Sequence, residues 1–116
     1  MPLLDMIRYT ALPPAAIWAS EYGDPEDPKM RAVIEKYSPF QNIRADKKYP
    51  PIYFWTSKAD DRVHPSHARR MAAKMKTLGH HCFLYEEPTG GHNGGDVKVK
   101  AFGDALMYSY LWKHLV

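Results

Sequence analysis

The sequence has one cysteine, Cys82, and therefore no partner for it within the chain. That excludes an internal disulfide and any zinc site built from several cysteines. It fits a reducing compartment, and a cytoplasmic location is expected. Long apolar runs are missing too. The longest are a few residues, far short of the roughly 20 needed to cross a bilayer, so no membrane-spanning segment is expected. The start, Met1-Pro2-Leu3-Leu4-Asp5, reaches an acid at once and lacks the basic and long apolar stretches of a signal peptide. Repeats and low-complexity tracts are absent. Charge of one sign is also scarce: 16 basic residues face 13 acidic ones, a formal net charge of +3. A nucleic-acid binder concentrates its basic residues on one face. Here the densest run, Arg69-Arg70 with Lys74 and Lys76, reads as the wet side of one helix. Neither a nucleic-acid nor a membrane partner is expected.

What is present suits one globular unit over residues 1–116, with 45% hydrophobic and 25% charged residues. Prolines at Pro13-Pro14, Pro25, Pro28, Pro39 and Pro50-Pro51 make the first half rich in loops. Leu3-Leu4 reads as the tail of a buried strand whose beginning lies upstream, so the chain looks like a piece of a larger domain. Asp27-Pro28 starts a helix, with Asp as N-cap and Pro at the first helical position. Met30, Val33, Ile34 and Tyr37 then give it an apolar face over about 28–37. Pro51-Ile52-Tyr53-Phe54-Trp55-Thr56 is a short aromatic and β-branched run without polar alternation, as in a strand buried on both faces of a parallel sheet.

After a polar loop, Pro65 opens a helix whose stripe is Ala68, Met71, Ala72, Met75 and Leu78, stopped by Gly79. His81-Cys82-Phe83-Leu84-Tyr85-Glu86 is a second strand. A long helix over about 97–114 follows, with Phe102, Ala105, Leu106, Ser109 and Trp112 on one side. Strand, helix, strand, helix is an α/β pattern with a parallel strand pair.

In open parallel sheets, sites lie beyond the carboxyl ends of the strands. Lys58-Ala59-Asp60-Asp61-Arg62-Val63-His64-Pro65 and Gly90-Gly91-His92-Asn93-Gly94-Gly95 occupy that place. They bring an acid and a histidine to one rim, two members of a nucleophile–base–acid triad. Other constellations are weaker. His64 and His67 stand three apart at a helix start, but no carboxylate or cysteine completes a metal set. The glycine loop lacks the lysine of a phosphate-binding loop. No metal and no cofactor are expected. Trp18, Trp55 and Trp112 read as core or interface aromatics, and Cys82 as a buried small hydrophobe.

The segment from Ser57 to Arg69 resembles the one carrying the triad acid in the prolyl oligopeptidase family of serine peptidases. Gly90-Gly91-His92-Asn93-Gly94-Gly95 resembles that family's histidine loop. Leu4-Asp5-Met6-Ile7-Arg8-Tyr9, Tyr22-Gly23-Asp24-Pro25 and Tyr37-Ser38-Pro39-Phe40-Gln41-Asn42-Ile43 are similar to its catalytic domain, in the same order. The resemblance implies part of an α/β-hydrolase fold, with Asp60 as triad acid, His92 as general base and Arg62 at a position that contacts bound peptide in some members. Asp61 stays open as the alternative acid.

In α/β-hydrolases the nucleophile precedes the acid, in a Gly-x-Ser-x-Gly elbow. The serines here stand at 20, 38, 57, 66 and 109, and none lies in such a motif. The chain is therefore expected to be a carboxyl-terminal portion, inactive alone, that works on peptide substrate only with a nucleophile-bearing half. The loss of neighbouring strands predicts self-association through an exposed sheet edge or swapped elements. The contrasting expectation is a non-enzymatic, self-associating interaction module of hydrolase ancestry.

Overall fold

The structure is a computed structural model and describes residues 1–12 and 15–116. The expected turn at Pro13-Pro14 lies outside the described residues. A 3-10 turn, Ala15–Trp18, leads into α1 (Ala19–Tyr22). Then come α2 (Pro28–Tyr37), α3 (Pro39–Asn42), β1 (Ile52–Ser57), α4 (Ser66–Thr77), β2 (Cys82–Glu87) and α5 (Val97–Leu115).

The strands are parallel, in register from Ile52 opposite Cys82 to Ser57 opposite Glu87. The crossover between them is α4. It buries His67, Ala68, Met71, Ala72 and Met75, matching the stripe read from spacing except that Leu78 is only partly covered. With Leu4, Ile43 and Phe54 these apolar side chains form the main core. A second cluster of Met6, Tyr9 and Ile34 ties α2 to the amino-terminal segment. Asp27 caps α2 as its sequence predicts, its carboxylate accepting from the Lys29 N–H at 2.9 Å.

Three expectations are corrected. Leu3-Leu4 is not in a strand. Its neighbourhood is held by side chains instead: His67 Nδ1 accepts from the Leu4 and Asp5 N–H groups at 3.3 and 3.1 Å, and Ser38 Oγ accepts from Met6 N–H at 3.0 Å. Backbone donors served in this way leave no ladder to form. Next, β1 is buried at Phe54 and Thr56, while Tyr53 and Trp55 on the other face are only partly covered. Finally, α5 meets the sheet through only part of the expected side: Phe102 lies against Tyr85 of β2 with ring centroids 5.8 Å apart, while Trp112 does not reach it. Gly103 is the residue that α5 buries. Tyr110 packs on Tyr53 and Phe83 with ring centroids 5.4 and 5.7 Å apart, and His114 lies 5.8 Å from Phe83. Gly103, Tyr110 and His114 share one face at helical spacing. Trp112 is 72% exposed and belongs to no core cluster among the described residues.

Candidate active site at the carboxyl ends of the strands

Because β1 and β2 run parallel and end level, the loops that follow them leave the sheet side by side. The loop after β1 delivers Asp60, whose side chain is fully buried. Its Oδ1 accepts the N–H groups of Arg62 and Val63, both at 2.9 Å. An aspartate that bonds its own backbone two and three residues on closes a turn and fixes its own rotamer.

The loop after β2 delivers His92. The turn around His92 and Asn93 is closed by Gly94 N–H donating to Gly91 O at 3.0 Å. Gly90 has φ of +93°, and a Cβ there would meet Gly94 O at 2.3 Å, so this stem accepts glycine alone. At Gly91 the added carbon would lie 2.9 Å from Asp61 Oδ1, a second place where the loop approaches its neighbour closely.

The two loops meet at the side chains. His92 Nδ1 lies 3.0 Å from Oδ1 and 3.2 Å from Oδ2 of Asp60. A carboxylate only accepts, so Nδ1 carries the proton and Nε2 of the neutral ring is left with the free lone pair. The ring is 28% exposed, within reach of a reactant. Of the two adjacent acids, Asp60 faces the ring. Asp61 accepts from the His92 backbone N–H at 3.0 Å, and that bond holds its carboxyl below the usual range. Ser57 Oγ donates to Gly90 O and accepts from Ala59 N–H at 3.4 Å, so its hydroxyl serves as a tether between loops. Arg62 is exposed beside the pair, and its side chain makes no hydrogen bond or ion pair among the described residues.

Three other histidines are employed elsewhere. His64 Nδ1 accepts from Ser66 N–H at 3.2 Å, and His67 is buried with the contacts given above. Their rings do not converge on a metal, and no cluster of ligating groups occurs among the described residues. His80 Nε2 sits 2.8 Å from Arg44 O. Cys82 is half-buried, and burial pushes its thiol pKa up, away from reactive thiolate. Sequence reasoning missed the tethering roles of Ser57 and Asp61. The place of Ser57 at the end of β1 was a legible signal; the partners of both, more than 30 residues away, were not.

Residues 1–116 match the family described as the prolyl oligopeptidase family. The chain belongs to that family. An uncharacterized peptidase of Sinorhizobium fredii is 40% identical over 117 residues, covering 100% of this chain and 16% of its own length. The structure of a post-proline cleaving enzyme from Rickettsia typhi superposes with a TM-score of 0.89 at 35% identity, over 94% of this chain and 16% of the other. Substrate-bound structures of prolyl oligopeptidase B from Galerina marginata, with alanine in place of a serine, an aspartate or a histidine, give TM-scores of 0.75–0.77 at 26–27% identity. They cover 89% of this chain and 15% of theirs. This prolyl oligopeptidase family chain thus spans about 16% of the length of such relatives, and its strands and helices are a portion of their α/β-hydrolase fold.

Proposed function

We propose that this chain supplies the acid and the base of a serine peptidase centre and takes its nucleophile from polypeptide outside residues 1–116. The observation that carries this reading is the 3.0 Å bond from the His92 ring to the buried Asp60 carboxylate. His92 Nε2 accepts the proton of a serine hydroxyl as the oxygen attacks the peptide carbonyl. The same nitrogen then delivers that proton to the leaving amine. Asp60 holds the ring in this tautomer and stabilises the imidazolium that forms. Arg62, exposed two residues past Asp60, is the residue this reading assigns to contact with the peptide. No serine of this chain stands in an elbow motif, and Ser57 is committed to Gly90, so the chain alone does not hydrolyse peptides.

The reading draws support from the comparison enzymes, whose substrate complexes were captured with a serine, an aspartate or a histidine removed. It is tested by mixing the chain with an upstream half that carries a Gly-x-Ser-x-Gly elbow and labelling with a fluorophosphonate. Label is expected on the mixture and on neither part alone, and His92→Ala abolishes it. A mixture that assembles yet stays unlabelled overturns the reading.

A second reading, a self-associating interaction module without catalysis, is favoured by one observation. The outer side of α5 leaves Tyr108, Trp112 and Leu115 exposed. It predicts assembly of the chain with itself and no gain of labelling with any upstream half.

A further inference from the structure

Three points hold the histidine loop, and only two of them lie beside His92. Ser57 fastens the entering stem at Gly90, and Asp61 fastens the His92 backbone. The returning stem is held at Gly95, three residues past His92, where the N–H donates to Glu87 Oε2 at 3.1 Å. Glu87 is the last residue of β2 and is 1% exposed. Its main-chain oxygen accepts from Lys58 N–H at 2.9 Å, the first residue of the acid loop. One residue therefore touches the root of the Asp60 loop through its backbone and the root of the His92 loop through its side chain.

The carboxylate is closely fitted. A Cβ on Gly94 would lie 3.2 Å from Oε2, and one on Gly103 would lie 3.3 Å from Oε1. Behind it is a cavity of about 300 Å³ lined by Tyr53, Trp55, Lys100, Gly103, Asp104 and Met107. Glu87 forms no ion pair there among the described residues. Burying a carboxylate without a cationic partner costs stability, and an apolar side chain of similar volume would pack the cavity wall better. The bond to Gly95 is what an apolar residue cannot supply.

We propose that Glu87 is a positioning residue: it fixes the returning stem of the histidine loop and thereby sets His92 against Asp60. The proposal rests on the catalytic reading of that pair, but its test does not need a nucleophile. In the full chain, nuclear magnetic resonance follows the His92 Nδ1–H signal and the exchange of the Gly95 amide. Glu87→Gln keeps an acceptor and is expected to leave both as in the wild type. Glu87→Ala and the volume-filling Glu87→Met are expected to speed Gly95 exchange at least tenfold and to erase the slowly exchanging Nδ1–H signal. Signals from the α4 core at Met71 and Met75 should stay in place. A purely structural role would lower the melting temperature without moving the His92 signal, and that result overturns the proposal. So does collapse of both the Ala and Met variants while Gln stays folded, since Glu87 then serves the fold as a whole. Failure of labelling in the mixing experiment leaves these signals untouched, so the two ideas fail separately.

Discussion

At the scale of single residues, the site depends on which carboxylate does what. Asp60 bonds the ring and Asp61 bonds the backbone one loop away. Asp60→Asn presents an amide that can donate to Nδ1 and favours the wrong tautomer. In the proposed assembly with a nucleophile-bearing half it is expected to lower kcat by about 10³–10⁴ with little change in KM. Asp61→Asn keeps an acceptor for the His92 N–H and is expected to cost less than about tenfold, a contrast that steady-state kinetics resolves. His67 is the other titratable group with a clear assignment. Burial pulls its pKa from 6.5 to about 4, the nearby Asp5 carboxylate opposes this, and His64 and Arg70 push it further down. The folded state therefore binds fewer protons than the unfolded chain between these values. The contribution of His67 to stability is full above pH 6.5 and is lost as the pH falls towards 4, by roughly 3 kcal/mol at most. Urea titrations across that window check this. His67→Asn, which keeps an acceptor near the Leu4 and Asp5 amides, should flatten the decline.

At the scale of elements, α5 makes the sharpest contrast. Tyr110 stacks between Tyr53 and Phe83 and donates its hydroxyl to Pro51 O, whereas Trp112 stands in solvent. Tyr110→Ala is expected to cost about 2–3 kcal/mol and Trp112→Ala less than about 0.5 kcal/mol, as read by denaturant unfolding. The sequence points to the helix but not to its inward face. Apolar residues ring α5 on all sides, so spacing gives it no direction. For α4 the opposite holds: small and sulfur-containing residues on one side and Arg69, Lys76 and Thr77 on the other made the stripe readable. Both strands were readable from their aromatic and β-branched runs. That an acid of the Asp60-Asp61 pair and His92 leave one rim followed from the parallel strands; which acid meets the ring did not. Leu3-Leu4 was misjudged because the Leu4 amide is taken by His67 and the Met6 amide by Ser38, each more than 30 residues away, and no local pattern carries that information.

At the scale of the whole molecule, the chain is loosely drawn together. Its radius of gyration is 15.3 Å, against about 13 Å for a compact domain of this length. Among the described residues β1 pairs along one edge only, with β2. An open apolar hollow of about 370 Å³, lined by Leu4, Ile43, Tyr49, Ile52, Phe54 and Met71, opens onto the same sheet. A free edge and an apolar hollow favour association. Light scattering on the isolated chain is expected to give a mass above that of one copy, falling to a one-to-one assembly when the upstream half is added. A strictly monomeric isolated chain would count against that expectation.

Asp60 and His92 are joined within one short stretch of polypeptide, by bonds that call on nothing outside it. An acylating reagent such as diethyl pyrocarbonate therefore meets a ring with one nitrogen shielded by a neighbour and the other bare. On the His92 ring, modification should be confined to Nε2, and the bare nitrogen should retain this chemical character whether or not a hydroxyl ever arrives beside it.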